Sequence, residues 1–98
     1  MDFTDYDTRV AGYAVIVDAD DRVLTTWWNG EARPELANWS LPGGGIEFDE
    51  AIEDGIIREV YEESGYRVEL TGFLGTSTWI NTEHPRPRKG VRLFYTAR

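Results

Sequence analysis

Apolar residues fall along this chain in two different periods. Residues 9–17, RVAGYAVIV, form a nearly unbroken run of β-branched, aromatic and small apolar residues, which predicts a buried strand. The stretch from Asp18 to Asp21 is a turn signal. Residues 22–28, RVLTTWW, then alternate as a strand returning on the first, so a hairpin is expected. The period lengthens after Asp49. Ile52, Gly55 and Ile56 make an apolar stripe at helical spacing, and steps of three and four residues continue it to Glu59, Glu62 and Glu63. A helix over residues 50–64 is predicted, with the Asp49 carboxylate capping its free N–H groups and Gly65 as the left-handed residue that closes it. Beyond it, 67–70 and 73–80 read as strand interrupted at Thr71 and Gly72, residues 81–90 as a loop with two prolines, and 91–97 as a last strand. Strands around one central helix predict a mixed α/β sheet.

Ninety-eight residues make one domain, 1–98, and 41% hydrophobic content is enough for a small core. The sequence has no cysteine and a single histidine, His84, so disulfides, a Cys-based zinc site and a multi-histidine site within one chain are excluded. No run is long enough for a helical membrane span, residues 1–8 are acidic and polar, and a cytoplasmic location is expected. A net charge of -8 argues against duplex nucleic acid as a partner, since that binding depends on phosphate neutralisation. The charge is uneven, however. Residues 47–63 carry eight of the eighteen acids, while Arg86, Arg88, Lys89, Arg92 and Arg98 supply half of the ten basic residues. Such a basic segment facing an acidic helix would suit a polyphosphate ligand; an ordinary solvated loop is the competing reading.

The acids on the helix bring in chemistry. Glu59, Glu62 and Glu63 are neighbours on one helix face and repel one another, in the half of the helix where the dipole is already negative. They also lie along the packed stripe, unlike the acids of a solvated face. Nothing local favours this arrangement, whereas a divalent cation would relieve it, because hard cations take carboxylate oxygens and then bind substrate phosphates. Ahead of the helix, Gly43, Gly44 and Gly45 let backbone approach a ligand closely. No Gly-Lys-Ser/Thr follows them, so they are not a phosphate-cradling P-loop. Trp27, Trp28, Trp39 and Trp79 could stack a nucleobase. Core packing is the plainer role for any one of them, and Trp39, beside the glycines, is the best placed.

The segment from Gly44 to Tyr66, GGIEFDEAIEDGIIREVYEESGY, has the spacing G-x5-E-x7-R-E-U-x-E-E-x-G, with U a bulky aliphatic residue. Its seven fixed glycine, glutamate and arginine positions would coincide by chance on the order of once in 10^9 windows. The string resembles the Nudix box, and over roughly residues 9–97 the chain resembles a Nudix hydrolase. That resemblance implies an α/β/α sandwich, although a second covering helix is not apparent here, so a fragment, a minimal form or a homodimer completed by a partner is expected. It implies metal-binding and catalytic roles for Glu59, Glu62 and Glu63, an orienting role toward Glu59 for Arg58, a supporting role for Glu50, and a metal-directed carbonyl at Gly43. Tyr66, Asp49 and Gly55 depart from the family's commonest residues, and close packing would account for Gly55.

The activity implied is Mg2+- or Mn2+-dependent hydrolysis of the P–O–P bridge in a nucleoside diphosphate linked to another group. Trp39, Arg86 and Arg88 are the candidate substrate contacts. Glu83, the one acid after Glu69, is the candidate general base within the chain, with His84 behind it; in many members the base lies further along than residue 98. A binding or regulatory module that holds nucleotides without turnover is the alternative. The intact box favours the enzyme.

Overall fold

The computed structural model describes residues 1–83 and 85–98. After a short 3-10 turn (Phe3–Asp5), strand β1 (Asp7–Ile16) enters the centre of a four-stranded sheet, ordered β4-β1-β6-β5. Strand β6 (Arg88–Ala97) runs parallel to β1, whereas β4 (Gly43–Gly45) and β5 (Leu70–Asn81) are antiparallel to their neighbours. The sheet is therefore mixed, and with helix α1 (Ile52–Ser64) it gives the expected α/β class. Strand β5 is continuous where an interruption is predicted, because register shifts at Leu70/Gly72 and Phe73/Gly75 absorb the irregularity. Residues 67–69 lie outside the strand, although Glu69 exchanges backbone hydrogen bonds with Arg98.

The expected hairpin forms only at its turn. The Asp18 carboxylate accepts from the Asp20 and Arg22 amides, and Val17 bridges Val23. Strand β2 (Thr26–Trp28) then leaves β1 and pairs with β3 (Asn38–Ser40) in a separate ribbon, where Trp27 and Trp39 meet edge to face at 5.4 Å. A sequence period identifies a strand but does not choose its partner. Here, an aromatic cross-strand pair accompanies the observed pairing.

Alternation along β1 separates two sheet faces. Gly12, Ala14 and Ile16 face α1, where Ala14, Ile56, Val60 and Ala97 form the buried core. Val10 has the same parity and belongs to this face as well, not to that of Tyr13 and Val15. Gly12 is what brings helix and sheet together: a Cβ there would come within 2.4 Å of Ile56 Cγ1. The helix packs on β1 and β4. Phe73, Leu74 and Ile80, on the far strand β5, stay exposed at 57%, 57% and 73%.

Two helix boundaries test the capping expectations. Gly65 takes the left-handed conformation at φ 78°, and its amide reaches the Tyr61 carbonyl, as expected. Asp49 is not the N-cap. The helix starts at Ile52 with Ala51 at the cap position and no side-chain cap, because Glu50 is drawn into another set of bonds.

Candidate active site

Arg58 is the hub of those bonds. Its Nε and Nη2 donate to the two Glu50 oxygens at 3.0 and 2.7 Å, and Nη2 also donates to the Gly45 carbonyl at 3.2 Å. Its Nη1 donates to Glu59 at 3.1 Å and to both Glu62 oxygens at 3.2 Å. Glu50 accepts the Glu47 amide too, so one carboxylate ties the loop to the helix. Gly55 makes room for it, since a Cβ there would lie 2.7 Å from Glu50 Oε1 and 2.8 Å from Ile46 Cδ1. The close packing anticipated for Gly55 is thus against the Glu50 carboxylate and the Ile46 side chain.

This ion pair predicts an acid dependence. The Arg58 guanidinium, helped by the Glu47 amide, holds the Glu50 carboxyl down at about 2. A carboxyl depressed on folding stabilises the fold above its unfolded value, and that contribution disappears as pH falls from about 4.5 toward 2. Acid unfolding followed by near-ultraviolet circular dichroism should begin in that window. Glu50→Gln should be less stable at neutral pH and should flatten the slope there.

Glu59 and Glu63 occupy different surroundings from Glu62. Both remain in line with Ile52 and Ile56, while Val60 takes over the core side of the helix and is fully buried. A Cβ on Gly44 would meet the Glu59 carboxylate at 3.0 Å, so the bare glycine keeps that space open. Glu63 accepts from the Thr26 hydroxyl at 2.8 Å, with the Gly43 amide turned toward it. Partial burial of its carboxylate raises its pKa; the Thr26 hydroxyl and the Gly43 amide oppose the rise, and neighbouring Glu59 adds to it only after them. Glu62, with a side chain 55% exposed, meets Arg58 on the outer side. Among the described residues no three acidic or histidine side chains gather closely enough to enclose a metal ion.

The β4 register explains why backbone groups reach this helix. Ala14 donates to Pro42 and Ile46 to Val10, so Gly12 and Gly44 form the hydrogen-bonded pair between them. Gly43 and Gly45 therefore turn their amides and carbonyls to the free edge. There the Gly45 carbonyl receives Arg58 and the Gly43 amide meets Glu63. The Gly43 carbonyl is on the same free edge.

An open groove of about 810 Å³ wraps this glycine edge. Glu59 and Glu63 line it on the helix side; Arg9, Arg92, Tyr13 and Phe94 line it on the opposite sheet face; Trp27, Trp28 and Glu31 close it from the ribbon. Three expected contacts lie elsewhere. Trp39 is 66% exposed against Trp27, outside the lining. Arg86 is bound by the Asp7 carboxylate at 2.8 Å and by the Thr4 carbonyl. Arg88 starts β6, opposite Asp7, and is also outside the lining. Glu83 is exposed beyond the end of β5 and does not line the groove, and His84 lies outside the described residues. Arg9 was the available signal that sequence reasoning passed over: a charge opening an apolar strand, on the same parity as Tyr13.

Comparison with known proteins agrees with this architecture. The chain is 41% identical over 70 residues to a "MutT-like protein" of Streptomyces ambofaciens, covering 71% of this chain and 41% of that protein. It is 37% identical over 63 residues to a "putative 8-oxo-dGTP diphosphatase" of Bacillus subtilis, covering 64% of this chain and 39% of that one. The chain thus spans about two fifths of the length of these curated relatives. The crystal structure of a MutT protein from Methanosarcina mazei superposes with a TM-score of 0.78 at 25% identity, over 93% of this chain and 63% of that one. Residues 7–98 match the NUDIX domain, and the chain belongs to that family.

Proposed function

We propose that this chain carries the catalytic box of a divalent-metal-dependent pyrophosphohydrolase, which cleaves the P–O–P bridge of a nucleoside diphosphate linked to another group. The observation that carries the reading is that Glu59 and Glu63 both line the groove along the bare glycine edge. Two carboxylates on one wall of the groove suit a cation there, and Glu59 and Glu63 would hold it, with the Gly43 carbonyl nearby. Glu62 would join them only by leaving Arg58. When bound, Mg2+ or Mn2+ polarises phosphate oxygens and lowers the pKa of a bound water.

The protein's own part is positioning. Arg58, fixed by Glu50 and Gly45, holds Glu59 toward the groove; Thr26 holds Glu63. Relatives named as an 8-oxo-dGTP diphosphatase and as RNA pyrophosphohydrolases make nucleoside triphosphates and 5′-phosphorylated ends the first substrates to try. Such substrates would place the work in the cytoplasm. The test is phosphate or nucleotide release from a panel of nucleotide derivatives, with Mg2+ and with EDTA. Metal-dependent release supports the enzyme; nucleotide binding without release supports the non-cleaving alternative.

Homodimer formation would cover the exposed Phe73, Leu74 and Ile80. The 98 residues are expected to self-associate or to melt at low temperature, since exposed apolar patches of this kind are unfavourable in a monomer. Light scattering with a thermal melt checks this. A monodisperse monomer with a cooperative melt would count against it.

A further inference from the structure

Two guanidinium groups on the groove take no part in the proposed hydrolysis. Arg9 on β1 stands opposite Gly90, and Arg92 on β6 stands opposite Ala11, so parallel pairing sets both on the sheet face turned away from α1. Neither makes an ion pair with a carboxylate among the described residues; Arg92 lies 5.9 Å from the Trp79 ring centre. The protein's net charge is -8, and among the described residues Arg22, Arg33, Arg58, Arg86 and Arg98 each have an acidic partner, whereas Arg67 and Arg88, like Arg9 and Arg92, have none. Of these four, only Arg9 and Arg92 line the groove, and they do so together.

Their position relative to the glycine edge gives this meaning. Arg9 Nη2 lies 3.2 Å from where a Gly45 Cβ would be, whereas the Glu59 carboxylate lies 3.0 Å from where a Gly44 Cβ would be. Acid and base thus sit on opposite sides of one bare strand. Further along the same face, Tyr13 and Phe94 stack with ring centroids 5.7 Å apart. Arg9 and Tyr13 are four residues apart, about 13 Å along a strand. A ligand lying over the edge therefore meets carboxylates on the helix side and, on the open face, an aromatic pair at one end, Arg9 at the other and Arg92 between them.

From this we infer that Arg9 and Arg92 form a subsite for negative charge beyond the cleaved bridge, selecting nucleoside triphosphates and longer polyphosphates over nucleotides whose second group is neutral. The inference rests on the proposed hydrolase reading for its cleaved bridge. Guanidinium groups suit it because their donors match phosphate oxygens in paired geometry and remain charged at any working pH.

Equilibrium binding tests it without turnover. The ligands are a non-hydrolysable imido analogue of a nucleoside triphosphate and a nucleoside diphosphate sugar with the same base, each with Mg2+ and with EDTA. Trp27 and Trp28 line the groove and provide the fluorescence signal. The wild-type chain should prefer the triphosphate analogue. Arg9→Gln/Arg92→Gln should weaken that ligand by about tenfold or more, as loss of charge-assisted bonds does, and change the sugar by less than about twofold. Arg9→Lys/Arg92→Lys, which keeps the charge, should fall between. Equal loss for both ligands, no initial preference, or no binding of the analogue in either condition would overturn the inference. If this binding pattern holds while the substrate panel is not cleaved, the hydrolase reading fails and the anion subsite stands. If both substrate classes are cleaved with no dependence on the two arginines, the subsite fails alone.

Discussion

Glu59→Gln is expected to lower turnover by about 10^2- to 10^4-fold, the range for losing a group that acts at the reacting centre, while the protein stays folded. The substitution keeps the side chain's shape beside Gly44 and removes only its charge. It loses one bond from Arg58 at 3.1 Å, but that guanidinium keeps Glu50, Glu62 and the Gly45 carbonyl as partners. It also removes the carboxylate that crowds Glu63, so repulsion relieved offsets part of the attraction lost. Divalent binding, read by titration, should weaken in Glu59→Gln and in Glu63→Gln. Glu53→Gln is the control, because Glu53 is an exposed acid of the first helical turn. A Glu59→Gln protein with unchanged turnover would remove this helix from the chemistry. The structure further ranks the acids, since Glu62 is bound outward by Arg58: its loss should cost less than that of Glu59. Equal losses would show that Glu62 leaves Arg58 for the groove.

What the sequence made legible is what depends on local spacing. The helix and the continuation of its apolar stripe to Glu59 and Glu63 follow from a 3.6-residue period, and the glycine stop from Gly65's backbone freedom; Glu62, expected on the same line, turns outward to Arg58 instead. The N-terminal cap was misread because Asp49 has the right chemistry for a cap, whereas the chain's actual constraint is a bond over eight residues, from Arg58 back to Glu50. That competition between a local cap and a longer ion pair cannot be weighed from spacing alone. The β2 strand was legible as a strand, but its partner was not, for the same reason.

The basic residues show the limit most clearly. Clustering after residue 84 pointed to Arg86 and Arg88, yet Arg86 is used to fasten the segment leading into β6 to the N-terminal segment through Asp7 and the Thr4 carbonyl. The arginines that line the groove are Arg9 and Arg92, separated by most of the chain. They come together because β1 and β6 pair in parallel, with Ala11 opposite Arg92. No feature near either residue announces that pairing. Parity does show, however, which residues of each strand will share a face once the pairing is known.

The largest effect on stability is expected where helix and sheet touch, at Gly12 and Ile56. Ile56 is fully buried, and truncation to alanine should cost about 2–5 kcal/mol through lost contacts and the cavity left behind. Adding a methyl group at Gly12 acts in the opposite sense and is also destabilising. The new Cβ would lie 2.4 Å from Ile56 Cγ1 and 2.6 Å from Cδ1, so the isoleucine or the helix axis must move, at about 1–3 kcal/mol for an overpacked core. Each kcal/mol lowers the melting temperature of a domain this size by about 4–8 °C. The two substitutions are coupled through the same space, so Gly12→Ala/Ile56→Ala should be less destabilised than the sum of the single variants. Thermal melts of the four proteins give that coupling directly, and strict additivity would mean that the contact is not what sets the helix height. The consequence extends to the groove. Raising α1 from β1 moves Glu59 and Glu63 away from the β4 edge, so Gly12→Ala should lose divalent affinity even at temperatures where it remains folded. Retained affinity would show that the Arg58 bonds to Glu50 and Gly45, and not the core contact beneath them, hold the carboxylates in place.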